Sequence, residues 1–115
     1  MLSPSQASLL RLISIGDEDS IRHALSGTSP TPVALDERTA ALVRLASLIS
    51  RDSALPAYQR TVQAALDAGA TVDEILSLLV VLAEPAGSTA VITAAPKLAM
   101  ALGYDVEAGL EVLAT

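Results

Sequence analysis

The chain has 115 residues, which is enough for one small domain that buries about two thirds of its unfolded surface. It carries 13 acidic and 7 basic residues, a formal net charge of −6, and the bases are scattered, so nucleic-acid binding is not expected. Cysteine is absent, which excludes disulfides, thiolate chemistry and cysteine-bound metals.

The chain is also rich in apolar residues for its size. Hydrophobic residues make up 51% of it and the mean hydropathy is +0.51, although Phe and Trp are absent. Excess apolar surface on a small protein is typical of an interface, and a homo-oligomer is the simplest explanation. The first residues lack the basic and apolar regions of a signal peptide, so a cytoplasmic location is expected.

One apolar segment could be mistaken for a membrane span. From Leu76 to Ala95 the only charged residue is Glu84. Pro85 and Gly87 interrupt this segment and leave about ten apolar residues on each side, which suits buried helices better than a span. The sequence therefore predicts no membrane-spanning segment.

Two short helices are predicted before a proline-rich connector. Ser3 is placed to cap the first helix, which ends at Gly16. Asp17 is placed to cap the second, which ends at Gly27. Residues 28–34 contain two prolines, which disfavour helix at the positions that precede them.

Two longer helices follow the connector. Asp36 is predicted to cap a helix that continues to about Arg51, with apolar residues along one side. Ser53 is predicted to cap the next helix, which has a proline in its first turn and continues to Ala68.

Residues 64–75 have the pattern of a joint between two helices. Gly69 can adopt the left-handed conformation just after a helix C-terminus. Thr71 and Glu74 are spaced to form a reciprocal capping box at the start of the next helix. That helix, Val72 to Ala83, is apolar almost all round and is predicted to be the enclosed central element.

Two further helices complete the predicted fold. One spans Ser88 to Leu102, with a kink or break expected at Pro96, which lacks an N–H group, and Gly103 terminates it. Asp105 is predicted to cap a last short helix. The whole pattern predicts an all-α protein, a single domain of residues 1–115 with six to seven helices.

Residues 35–102 resemble the carboxymuconolactone decarboxylase family, which includes the alkylhydroperoxidase D-like proteins. The resemblance rests on Leu-Asp-Glu-Arg-Thr at 35–39, Leu-Ala-Ser-Leu-Ile at 45–49, Ala-Leu-x-Ala-Gly-Ala-Thr-x-x-Glu-Ile at 65–75 and the Pro/Gly break at 85–87. It implies an all-helical fold with a central helical hairpin, assembled into trimers or hexamers. It also implies either lactone decarboxylation or peroxide reduction.

The reactive positions that the resemblance implies are altered in this chain. Peroxidase members of the family carry Cys-x-x-Cys-x-x-x-His, and counting back from the turn glycine places these three residues at Ala54, Ala57 and Thr61. Without a thiolate, thiol peroxidase chemistry cannot occur. Decarboxylase members use a histidine for proton transfer, which Thr61 cannot replace at neutral pH. The inherited activities are therefore not expected by the usual route.

Several other side chains are candidates for a site. Glu84 could be a buried acid or base paired with Arg60 or Lys97, or a solvated residue at a helix end. Tyr58, Arg60 and Thr61 could bind a small carboxylate ligand, or form a rim or subunit interface. His23 is the only histidine and is predicted to lie on the surface, so no metal site is predicted, and no cofactor is expected.

Two functions remain open at this stage. The first is a non-catalytic oligomeric module that binds a ligand, a partner or an active paralogue. The second is an enzyme of altered chemistry, resembling a decarboxylase or lyase, that uses Glu84, Arg60 and Tyr58 in the same pocket.

Overall fold

The computed structural model describes residues 1–16, 18–25 and 34–114, and these residues form seven α-helices without a strand. This confirms the all-α prediction. The expected cap at Asp17, the stop at Gly27, the side chain of His23 and most of the connector lie outside the described part. The chain divides into two compact units, Met1–Ala34 and Leu35–Thr115. That the whole chain forms one domain stays a prediction.

The first unit contains α1 (Pro4–Ile15) and α2 (Glu18–Leu25). Ser3 caps α1 as predicted: its hydroxyl accepts from the Gln6 N–H at 3.2 Å, and the Gln6 side chain accepts from the Ser3 N–H at 2.7 Å. Gly16 ends the helix with φ of 73°. Short-range capping therefore defines both ends of α1.

The second unit contains five helices. They are α3 (Glu37–Ser50), α4 (Leu55–Asp67), α5 (Val72–Leu82), α6 (Ser88–Ala101) and α7 (Val106–Ala114). α4 packs against both α3 and α6, and α5 packs against α3 and α6 from another side. α7 follows α6 and packs against it.

The core of the second unit is aliphatic apart from one tyrosine. Its buried residues recur at helical spacing along α3, α4 and α6. One more lies in the loop before α5, and one lies in α5 itself. These buried residues are Ala41, Leu45, Ile49, Tyr58, Val62, Ala65, Ala70, Ile75, Ala94 and Leu98. Small residues at these positions allow the helix backbones to approach closely.

The predicted helix–turn–helix joint between α4 and α5 is confirmed. Gly69 has φ of 97°, a conformation that only glycine adopts readily. The Thr71 hydroxyl accepts from the Glu74 N–H at 3.1 Å, and the Glu74 carboxylate accepts from the Thr71 N–H at 3.0 Å. The joint therefore satisfies backbone donors that the start of α5 would otherwise leave exposed.

The start of α4 differs from the prediction. Its N-cap is Ala54, which offers no side-chain hydrogen bond, and not Ser53. The Ser53 N–H instead donates to the Leu48 carbonyl at 3.4 Å, and the Ser53 carbonyl accepts from Lys97. Ser53 therefore belongs to the turn that ends α3, where Lys97, distant in sequence, contacts its carbonyl.

α6 also differs, because it continues through Pro96 without a break. Pro96 lies on the exposed side of the helix, where its ring projects away from the core. The Ile92 carbonyl loses its usual donor, but Ile92 is also exposed, so water can satisfy that group. The break expected at Pro96 is therefore absent, and a kink there stays a prediction.

α5 is less enclosed than its sequence suggests. Only Ile75 is fully buried, whereas Val80 and Val81 are 78% and 69% exposed. One side of α5 packs on α3 and α6, and no described residue of the second unit covers its opposite side. The prediction of a fully enclosed central helix was wrong for the isolated chain.

Candidate functional site

The positions to which the resemblance assigns the family's reactive groups lie together on the N-terminal half of α4. Ala54 is the N-cap, and Ala57 and Thr61 follow at intervals of three and four residues, which places all three on one side of the helix. Ala54 is exposed, and the other two are half-buried. The surface they form presents two methyl groups and a threonine side chain, with no group that ionises near neutral pH.

Tyr58 adjoins this surface but belongs to the core. Its side chain is fully buried, and its hydroxyl donates to the Leu48 carbonyl at 3.1 Å. Burial raises the pKa of Tyr58 above its ordinary value, and the negative charge of Asp52 raises it further. Tyr58 is therefore a neutral residue that holds α4 against the end of α3, and the isolated chain leaves it no surface for a ligand.

Lys97 lies at the same end of α4. Its ammonium group donates to the Asp52 carboxylate at 2.8 Å and to the Ser53 carbonyl at 3.0 Å. Asp52 has φ of 51°, a left-handed conformation that aspartate tolerates better than most residues. These contacts tie α6 to the turn between α3 and α4, so the charge of Lys97 is already balanced.

Glu84 and Arg60 remain separate in the structure. Glu84 lies in the turn after α5 and is exposed, as is Arg60. Among the described residues, neither side chain forms an ion pair, and Lys97 contacts Asp52 instead. The hypothesis of a partly buried Glu84 paired with a base was wrong. The structure favours the simpler interpretation of a solvated residue at a helix end.

An ion pair that the sequence analysis missed joins α3 to α5. The Arg38 guanidinium donates to the Glu74 carboxylate, whose other oxygen takes part in the capping box with Thr71. The two residues are separated by 36 positions, so no local pattern could have indicated this pair. Glu74 therefore links the start of α3 to the start of α5.

The turn between α6 and α7 forms an open groove that the sequence analysis also missed. Its volume is about 550 Å³ and its lining residues come from the end of α6, the turn and the start of α7: Pro96, Met100, Gly103, Tyr104, Asp105 and Val106. The groove is a different surface from that of Ala54, Ala57 and Thr61, and it shares no residue with it. The described residues contain no group of three or more His, Cys, Asp or Glu side chains that could hold a metal ion.

No helix within the described ranges is long and apolar enough to cross a membrane. No curated protein and no solved structure gives a significant match to the chain. The model of the carboxymuconolactone decarboxylase family matches residues 21–99. The match covers more than half of the chain and begins within α2, before the region in which the sequence motifs were found. The chain therefore belongs to the carboxymuconolactone decarboxylase family.

Proposed function

We propose that this protein is a non-catalytic, self-associating member of its family that acts by binding. The observation that carries the proposal is the surface of α4, where Ala54, Ala57 and Thr61 occupy the reactive positions implied by the family resemblance. Methyl groups neither attack a peroxide nor transfer a proton. A threonine hydroxyl cannot serve as a general acid or base near neutral pH without a stronger partner.

The unit that contains α4 has neither a cysteine nor a histidine of its own. Tyr58 is buried and donates to Leu48, and Lys97 donates to Asp52 and to the turn. Tyr58 and Lys97 are therefore already engaged in holding the fold together.

The apolar outer surfaces of α5 and α6 support self-association. Val80, Val81 and Ile92 are each at least two-thirds exposed, and burying them would remove a large aliphatic surface from water. The net charge of −6 makes two copies repel each other in general. From Leu76 to Ala95, however, Glu84 is the only charge, so repulsion is weakest at this surface. The family resemblance favours a trimer or hexamer.

The experiment that tests self-association compares two valine substitutions. Val80→Lys places a charge on the outer surface of α5, whereas Val43→Lys places the same charge at an exposed position of α3. We expect sedimentation equilibrium to show an oligomer for the parent protein and Val43→Lys, and a smaller species for Val80→Lys. A parent protein with the mass of one 11.8 kDa chain at micromolar concentration would refute self-association.

A peroxidase assay tests whether the protein lacks thiol-dependent peroxidase activity. With an organic hydroperoxide and a lipoamide-type or thioredoxin-type reductant, we expect the parent protein to stay at background. The triple variant Ala54→Cys, Ala57→Cys, Thr61→His restores the motif on the same helix surface and serves as the comparison. Turnover of the parent protein at even about 1 s⁻¹, the low end for ordinary enzymes, would contradict the proposal.

The alternative, an enzyme of altered chemistry, depends on Glu84. Because Glu84 is exposed, we expect Glu84→Gln to change the free energy of unfolding by no more than about 0.5 kcal/mol and to leave binding intact. Arg60→Gln is the companion variant, since an exposed Arg60 beside Thr61 could still bind a small carboxylate. Loss of carboxylate binding in Arg60→Gln alone would identify a ligand site on α4 without requiring catalysis.

A further inference from the structure

The exposed side of α6 carries an apolar stripe. Ile92, Pro96 and Met100 follow one another at intervals of four residues, which places them on one side of the helix, and all three are exposed. Lys97, which lies between them in sequence, is engaged by Asp52. Ile92 belongs to the outer surface for which self-association is proposed, and Pro96 and Met100 line the groove between α6 and α7. The stripe therefore connects that outer surface to the groove.

α7 extends this apolar stripe beyond the groove. Val106, Leu110 and Leu113 recur at intervals of four and three residues, so they share one side of the helix. Val106 lines the groove, whereas Leu110 and Leu113 are exposed, the second at 83%. Ala108 and Glu111 are also exposed, but they lie away from the stripe. The leucines of α7 therefore present an apolar side to solvent.

The groove itself is a recess with a defined backbone. Gly103 ends α6 with φ of 84°, and the Tyr104 N–H donates to the Ala99 carbonyl at 2.8 Å. A Cβ atom at position 109 would overlap the Tyr104 hydroxyl, so Gly109 makes room for this ring beside α7. Asp105 also lines the groove but is already engaged at the start of α7. The hydrogen bond that closes α6 thus fixes where the recess lies.

The area of the exposed apolar surface argues for a protein partner. At about 100 Å² for each largely exposed aliphatic side chain, Val80, Val81 and Ile92 together offer about 300 Å². A standard interface buries about 800 Å² on each partner, so these three are too few by themselves. Four further side chains of α6, α7 and their turn are more than half exposed and raise the total to about 700 Å². They are Met100, Tyr104, Leu110 and Leu113.

We propose that a second copy of this chain covers this surface, with the α7 leucines of one copy seated in the α6–α7 groove of the other. The surface carries both halves of such a contact, a recess at Tyr104 and projecting side chains at Leu110 and Leu113. Contact between identical chains requires both halves on each chain. This interface rests on the self-association proposed for α5 and extends it across α6 to α7.

Two lysine substitutions in α7 test the interface in the full chain. Leu113→Lys places a charge on the apolar side of α7, and Ala108→Lys places the same charge on the opposite side. Leucine, alanine and lysine all favour helix, so both variants keep α7. We expect sedimentation equilibrium to show association weakened at least about tenfold in Leu113→Lys, because an ammonium group is costly to bury, and unchanged in Ala108→Lys.

The outcomes distinguish this interface from self-association itself. A parent protein with the mass of one 11.8 kDa chain would refute both. An oligomer that Val80→Lys dissociates and Leu113→Lys leaves intact would retain the proposed self-association and overturn the interface at α7. Equal weakening by Leu113→Lys and Ala108→Lys would also overturn it, since the effect would then not depend on the side of the helix.

The two tyrosines provide a second measurement. Tyr58 is buried, whereas Tyr104 is 58% exposed in the single chain. Tetranitromethane nitrates accessible tyrosine rings, and peptide mass spectrometry locates the product. We expect Tyr104 to be protected in the associated parent protein and nitrated in Leu113→Lys, with Tyr58 unmodified in both and both rings nitrated in urea. Equal nitration of Tyr104 in the parent oligomer and in Leu113→Lys would overturn the proposal.

Discussion

Gly69 shows how a single backbone conformation can matter more than any contact. Its φ is 97°, yet a Cβ atom added there would meet no heavy atom within 4 Å. A substitution at this position therefore tests the backbone alone, without a steric clash.

We expect Gly69→Val to lower the free energy of unfolding by about 1–2 kcal/mol, because a β-branched residue is strained at positive φ. Gly69→Asn is the matched variant, since asparagine tolerates positive φ better than valine does. Its free energy of unfolding should therefore fall by less. Urea unfolding midpoints of the three proteins measure the difference. Equal midpoints would mean that Gly69 is not needed to end α4.

Asp36 makes the stability of the folded chain depend on pH. Its carboxylate accepts from the Thr39 N–H at 2.7 Å, and this hydrogen bond, helped by the charge of Arg38, holds the pKa of Asp36 below its ordinary value of 3.8. The folded chain therefore binds this proton less tightly than the unfolded chain does. The resulting stabilisation is fully present above the ordinary value and is lost as the pH falls through the folded pKa.

We accordingly expect the parent protein to lose more stability on acidification than Asp36→Asn does, within the range from about pH 5 to pH 2. Asparagine keeps a capping oxygen but has no titratable proton, so it isolates the charged contribution. Urea midpoints measured across this range provide the comparison. Parallel profiles for the two proteins would contradict the predicted role of the carboxylate.

At the scale of elements, the start of α5 combines local and distant contacts. Thr71 and Glu74 satisfy each other's backbone N–H groups, and Glu74 also pairs with Arg38 of α3. One side chain thus caps its own helix and connects it to another. The cap is local in sequence, whereas the connection depends on how the helices pack.

Thr71→Ala removes the capping hydroxyl, and we expect it to cost about 1 kcal/mol of unfolding free energy. Thr71→Ser retains a hydroxyl at the same position and should remain close to the parent protein. Chemical denaturation of both variants gives the result. If the alanine variant matched the serine variant, the capping box would not contribute measurably to the stability of the joint.

For the whole molecule, the association proposed for the exposed surfaces of α5 and α6 would couple folding to binding. If copies associate through Val80, Val81 and Ile92, the folded state is stabilised by binding that the unfolded chain cannot make. We therefore expect the thermal unfolding midpoint of the parent protein to rise with protein concentration. Val80→Lys should lose this concentration dependence, and Val43→Lys should keep it. A midpoint independent of concentration in the parent protein would argue against association through this surface.

The sequence alone determined the all-α class and most helix ends. Ser3, Asp36 and Thr71 cap helices where predicted, and Gly16 and Gly69 end them, because a cap involves groups within about four residues of one another. That α4 carries the family's reactive positions rests on the family resemblance and stays a prediction. Local spacing was sufficient for the caps and the helix ends.

Tertiary structure decided which side chains are exposed and free of other contacts, and so which could act as a cap or bind a ligand. Ser53 looked like a cap, but Lys97, 44 residues away, donates to its carbonyl and keeps it in the turn. Tyr58 looked like a ligand group, but it is completely buried in the core, and its hydroxyl donates to Leu48 of α3. α5 looked enclosed because its composition is apolar all round, and composition does not specify which side has a neighbour. The ion pairs of Arg38 and Lys97, the burial of Tyr58 and the groove at Tyr104 depend on contacts between residues distant in sequence or in separate helices, and local periodicity does not specify those contacts.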